Sequence, residues 1–266
     1  MTPESSRQSI AVQTVESVGR SLIDFINDVG GLLMMLTDVL RWSVRPPYRL
    51  QNFAQQLDFV GVGSVFLVGL TGTFSGMVFA HQSARAFELF GAESLVAPTV
   101  ALTLSRELAP VFSALMVTMR AGSAMCTELG TMRVTEQVDA LETMAVNPVQ
   151  YLLVPRVLAG LIMVPMLVML FNLAGMLGAY FVAVVVKGVS AGTFLTRTQQ
   201  WLDPEDLGEG LIKGAVFGLF VTLVACFKGY NAAGGAKGVG QATTQAMVSS
   251  ALGIFILDYF VGVLFH

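Results

Sequence analysis

Apolar residues run in long blocks along this chain, and the polar residues between them are too few to clothe a water-soluble surface. The first block, residues 22–40, differs from those that follow. Leu22, Ile26, Val29, Leu33, Leu36 and Leu40 fall within about 40° of one line when plotted at 100° per residue. Asp24, Asp28 and Asp38 fall on the opposite side. Three carboxylates on one face are costly at a bilayer centre and cost little at its surface. The pattern therefore predicts an amphipathic helix lying in the membrane interface, with a soluble packing helix as the alternative. Arg41, Arg45 and Arg49, with Pro46-Pro47, end it and supply a cationic anchor near lipid headgroups.

Five longer blocks read as spans. Residues 60–80 contain Gly72-Thr-Phe-Ser-Gly76, a spacing of small residues that lets another helix come close. Residues 95–119 are long enough to cross but hold Arg106 and Glu107. Residues 157–186 are almost unbroken apolar sequence, about 45 Å of helix at 1.5 Å per residue. That exceeds the hydrocarbon thickness, so this span must tilt, kink near Pro165 or project beyond the bilayer. Residues 211–227 carry Lys213 and a second small pair, Gly214 and Gly218. Residues 247–265 contain Asp258.

The connections are too short for a soluble domain. The fold class expected is all-α integral membrane: a polar segment over 1–21, an interfacial helix and basic linker over 22–50, and a five-span domain over 51–266. The polar start, with Glu4, Arg7, Glu16 and Arg20 and no apolar core, predicts no cleavable signal peptide. Orientation follows from lysine and arginine placement. With the N-terminus in the cytoplasm, one side holds Arg7, Arg20, Arg41, Arg45, Arg49, Arg120, Arg133, Arg156, Lys228 and Lys237. The other holds Arg85, Lys187 and Arg197, which predicts a cytoplasmic N-terminus and a periplasmic C-terminus.

Composition agrees. Of 266 residues 54% are hydrophobic and 12% charged, against about 25% charged in soluble domains. The net charge of −3 and the lack of a long basic run exclude a nucleic-acid partner. Cys126 and Cys226 make no disulfide framework or metal pair, and read as structural thiols. His81 and His266 are too sparse for a metal site or proton relay. No phosphate loop, catalytic triad or paired-carboxylate arrangement is present, so no nucleotide chemistry or membrane-embedded catalysis is expected of this chain. The glycine-rich stretch 234–240 lacks the strand-to-helix context of a phosphate cradle and reads as a flexible cytoplasmic loop.

Two regions carry candidate function. Ionisable groups within spans each cost roughly 2.5–3.5 kcal/mol on insertion scales, so they face a cavity, a partner or a pathway. Arg106 and Glu107 point about 100° apart on a helix and do not neutralise each other. Pro110, one turn on, removes a backbone donor. One of the two, with Lys213, lines a cavity for a polar headgroup, or else forms a structural ion pair locking the second and fourth spans. Asp258 reads as a hydrogen-bonded structural acid. The second region is 132–148. Val138, Leu141 and Met144 repeat at helical spacing with Glu136, Asp139 and Glu142 on another face; Thr135 can cap the start and Asn147-Pro148 the end. This predicts a short amphipathic helix between spans 2 and 3. It either docks its apolar ridge into a groove of a separate motor or lies against lipid.

Four stretches then resemble one family: Leu104-Ser105-Arg106-Glu107-Leu108-Ala109-Pro110; Arg120-Ala121-Gly122-Ser123-Ala124; Glu128-Leu129-Gly130-Thr131-Met132-Arg133-Val134-Thr135-Glu136-Gln137; and Met144-Ala145-Val146-Asn147-Pro148. Phe227-Lys228-Gly229-Tyr230 and Asp258 also fit. Together they resemble the MlaE/YrbE permeases, membrane subunits of ABC transporters that work with MCE-domain proteins. The likeness runs from about residue 55 to the C-terminus. Ala109 and Asn147 depart mildly from the residues the family often has there, Gly and Asp.

The resemblance implies a bacterial inner-membrane homodimer of five-span subunits. It implies a cytoplasmic ABC ATPase that carries the ATP and magnesium, so that this chain needs no cofactor of its own. It also implies a periplasmic MCE-domain hexamer, a small cytoplasmic STAS-type subunit and a phospholipid cargo moved between inner and outer membranes. On that pattern Arg106, Glu107 and Lys213 flank the lipid cavity, and Glu128, Met132, Arg133, Glu136, Gln137 and Leu141 meet the ATPase. An ion-coupled secondary transporter and a non-transporting scaffold remain the other readings of the residues; the lack of an internal repeat speaks against the first.

Overall fold

The computed structural model describes residues 19, 23, 26–46 and 49–265. Most of the segment 1–21, with Leu22 and Asp24 of the expected interfacial helix, lies outside the described residues. Every regular element among the described residues is helical. In chain order these are α1 (residues 26–43), α2 (Leu50–Glu88), α3 (Glu93–Val134), α4 (Gln137–Thr143), α5 (Val149–Val186), α6 (Ala191–Trp201), α7 (Pro204–Tyr230) and α8 (Gly235–Phe265). Five of them, α2, α3, α5, α7 and α8, are long and apolar enough to cross a membrane.

These helices outrun the apolar blocks that announce them. The 42 residues of α3 make about 63 Å of helix, twice a hydrocarbon core of about 30 Å. Arg120, expected in a connection, therefore sits inside α3, and Arg156 inside α5. The stretch 234–240 is likewise no loop. Gly234 and Gly235, with φ of 87° and 69°, make the turn, and α8 starts there. Polar or glycine-rich ends do not stop a helix that already satisfies its own backbone; only a conformational break does.

Close packing explains the small residues. A Cβ on Gly76 of α2 would lie 1.9 Å from the Gly175 carbonyl of α5, and one on Gly218 of α7 would lie 2.3 Å from that of Gly160. Both small-residue pairs thus serve contacts within one subunit. α7 has the most thoroughly enclosed apolar segment of the five, with α3, α5 and α8 packed on it.

α1 lies across the end of the bundle where α3 and α7 finish. Leu32, Met35, Leu36, Val39 and Trp42 pack on a cluster that includes Leu152, Leu153, Val157 and Leu223. Ile26, Leu33 and Leu40 stay exposed on the other side. The expected single apolar line is thus split, with Leu36 turned to protein, and Asp28 meets Lys228 of α7 at 2.5 Å.

Candidate functional site

Two interruptions in α3 place its ionisable residues. The helix widens to π-turns at Leu104–Leu108 and Thr118–Gly122, the first holding Arg106 and Glu107, the second Arg120. Such bulges are frequent at functional sites. Pro110 accounts for part of the first: it has no N–H to give the Arg106 carbonyl four residues earlier. Lys213 Nζ donates to that carbonyl at 3.1 Å.

Lys213 is fully buried. Its Nζ lies 2.8 Å from Glu107 Oε1, 3.1 Å from Glu209 Oε1 and 3.5 Å from Asp258 Oδ1, so one ammonium joins α3, α7 and α8. Arg106 turns away from Glu107, as adjacent helical positions must, and pairs with Asp206: Nε lies 2.7 Å from Oδ1 and Nη2 meets the same oxygen. Glu209 Oε2 stands 3.9 Å from Arg106 Nε. The structure therefore brings Arg106, Glu107 and Lys213 into one cluster in which two cations face four carboxylates and Glu209 stands between the cations. A buried cation needs such partners, because desolvating it alone is prohibitive.

Glu107 is half exposed. With Asp258 it borders a cavity of about 470 Å3 whose remaining wall is Phe255, Tyr259, Gly262 and Val263 of α8. A polar floor beneath apolar walls suits an amphiphile better than a free ion.

Asp206 and Glu209 were missed by apolar patterning, which starts that span at residue 211. Their signal lies in Asp203-Pro204-Glu205-Asp206. Pro204 takes the first helical position, Asp206 Oδ2 accepts from the Asp203 amide at 2.9 Å, and a capping box results. Starting α7 at Pro204 sets Glu209 and Lys213 one turn apart on one face.

At the other end of α3, α4 is held between the two described non-glycine residues with positive φ, Glu136 at 60° and Ala145 at 57°. Thr135 does not cap it. Its Oγ1 donates to the Thr131 carbonyl at 2.7 Å and closes α3, leaving Glu136 at the N-cap position. Asn147 caps the next helix instead, its Oδ1 accepting from the Val149 and Gln150 amides. The expected apolar ridge is divided: Val138 is buried in the chain's own core, Leu141 is partly buried, and Met144 is exposed.

The outward surface of this region is consequently acidic and polar, with Glu128, Glu136, Gln137, Asp139 and Glu142 exposed. Met132 packs inward. Arg133 pairs with Asp139 at 2.5 Å and lies over the Tyr230 ring, and Glu128 meets the buried Arg156 at 2.9 Å. Arg120 has a different setting. It donates to the Phe59 carbonyl at 2.5 Å and to Ser64 Oγ at 3.2 Å, bracing α2 around Gly61.

The chain matches the family model described as Permease MlaE over residues 53–264. It belongs to the MlaE permease family. Among the relatives of that family, a probable ABC transporter permease protein of Rickettsia felis is 42% identical over 249 residues, 94% of this chain and 96% of the relative. The intermembrane phospholipid transport system permease protein MlaE of Haemophilus influenzae is 36% identical over 249 residues, 93% and 95% of the two chains. The chloroplastic protein TRIGALACTOSYLDIACYLGLYCEROL 1 of Arabidopsis thaliana is 39% identical over 209 residues, 79% of this chain and 60% of that one. The matched region takes in all five spans, the Lys213 cluster and α4. This chain is thus an ABC transporter permease of the MlaE family.

Proposed function

We propose that the chain moves phospholipid between two membranes, the role that the name of the Haemophilus relative gives to that protein. The observation that carries this reading is the Glu107–Asp258 cavity, open beside α8 and floored by the Lys213 cluster. In this scheme the chain sits in a bacterial inner membrane with its N-terminus in the cytoplasm, and α1 lies in the cytoplasmic interface. Two copies form the transport unit. A separate ABC ATPase docks on the acidic surface of α4 and hydrolyses the ATP, while a periplasmic MCE-domain hexamer receives or delivers lipid and a small STAS-type subunit joins on the cytoplasmic side. Arg106, Glu107 and Lys213 serve the headgroup end of the cavity. Glu128, Arg133, Glu136 and Gln137 carry the motor contact, with Met132 and Leu141 supporting it from within.

The test is mild-detergent purification from native membranes, with mass spectrometry of co-purifying chains and bound small molecules. An ATPase, an MCE-domain protein and retained phospholipid support the reading. A folded chain recovered alone and free of lipid contradicts it.

A further inference from the structure

On another side of the first π-turn of α3, a second, open-sided cavity of about 360 Å3 is bordered by α5, α6 and the start of α7. Its wall is nearly all apolar, with Met169, Leu173 and Leu177 from α5 and Leu195 from α6 among the lining residues. Phe194 of α6 is buried and meets Tyr180 of α5 edge-on at 5.5 Å, fixing α6 over the cavity. Leu173 and Leu177 are both more than half exposed, so the mouth opens sideways from a spanning helix. Ser105, Tyr180 and Thr198 also reach this wall, and Asn172 is its one amide. Its side chain is buried, at 7% exposure, and its Oδ1 has no hydrogen-bond partner among the described residues.

We propose that this lateral cavity holds a single acyl chain ending in a small neutral head with a hydroxyl hydrogen, which donates to Asn172. The argument has three parts. A buried amide oxygen without a donor is unfavourable, and a ligand hydroxyl removes the defect. No charged side chain among the described residues lines the cavity, so a phosphate or ammonium headgroup finds no counter-charge there. A volume of about 360 Å3 suits one hydrocarbon chain better than a two-chain lipid. Mostly apolar walls with a few placed polar groups are also the usual form of a small-molecule site. The site stands apart from the Glu107–Asp258 cavity and requires no transport step.

The experiment uses the full chain in nanodiscs without ATPase, with two photoactivatable probes: a diazirine-bearing hexadecanol and the matching hydrocarbon without the hydroxyl. Labelled residues are mapped by mass spectrometry. The alcohol is expected to label the Met169–Leu195 region in preference to the exposed Val248 and Leu252 of α8. Asn172→Leu should lower that labelling roughly three- to tenfold, the worth of one net hydrogen bond, while hydrocarbon labelling holds. Leu195→Trp, at an exposed position, should block both probes by filling the space. Equal labelling by alcohol and hydrocarbon, indifference to Asn172→Leu, or labelling no stronger than on α8 overturns the proposal.

Discussion

Lys213 Nζ lies 3.1 Å from the backbone carbonyl of Arg106, the carbonyl that Pro110 leaves without its α-helical donor. A helix defect in α3 and a buried charge in α7 thus complete each other. The same ammonium also faces Glu107, Glu209 and Asp258, so its removal takes a cation from three carboxylates at once. Lys213→Met should destabilise the fold by roughly 3–5 kcal/mol, the usual result of breaking a buried ion pair from one side. Adding Glu209→Gln should recover part of that loss. Thermal unfolding of the detergent-solubilised single and double variants checks both statements.

The glycine contacts give a prediction with an internal control. Gly76→Val drives its side chain into the Gly175 backbone, whereas Gly69 on the same helix has nothing within 4 Å of an added Cβ. Gly76→Val should therefore reduce folded yield and melting temperature, with overpacking of at least about 1–3 kcal/mol. Gly69→Val should change neither. Fluorescence-detected size exclusion with a melting series reads both.

How much of this was legible in the sequence depends on which force left its mark there. Burial in lipid marks every residue of a span, so the five spans were readable from apolar runs; the short helix expected over 132–148 from helical spacing covers only Gln137–Thr143. Helix ends were not readable, because Asp206 and Glu209 are polar yet helical, and only the Asp203-Pro204 capping pattern reveals them. Arg120 looked like a loop residue for the same reason. The ridge of α4 was misassigned because periodicity shows that Val138 and Leu141 share a face without showing what the face meets. Spacing also could not show that Gly72, Gly76, Gly214 and Gly218 pack within the subunit.

The left-handed backbone at Ala145 offers a local test. A non-glycine residue in that region costs roughly 1–2 kcal/mol, so Ala145→Gly should hold or raise stability despite the greater entropy of glycine. Ala145→Val should lower it. Comparison of melting temperatures with far-ultraviolet circular dichroism separates strain at this turn from loss of helix.

The acidic surface of α4 supports an electrostatic docking contact. Glu136→Lys replaces an exposed charge outside the core, so folding should be unchanged while ATPase co-purification falls by roughly tenfold. Raising salt should weaken the wild-type contact in the same direction. Undiminished recovery of the ATPase with Glu136→Lys would count against placing the contact there.

The most direct test of the central claim is phospholipid transfer by the reconstituted complex carrying Glu107→Gln. Glu107 is half exposed at the cavity, and Lys213 keeps Glu209 and Asp258 as partners when it is neutralised. The predicted result is normal assembly and ATPase binding, with retained phospholipid and transfer rate both reduced about tenfold. Transfer at the wild-type rate by a normally assembled Glu107→Gln complex would contradict the assignment of this cluster to the lipid cavity.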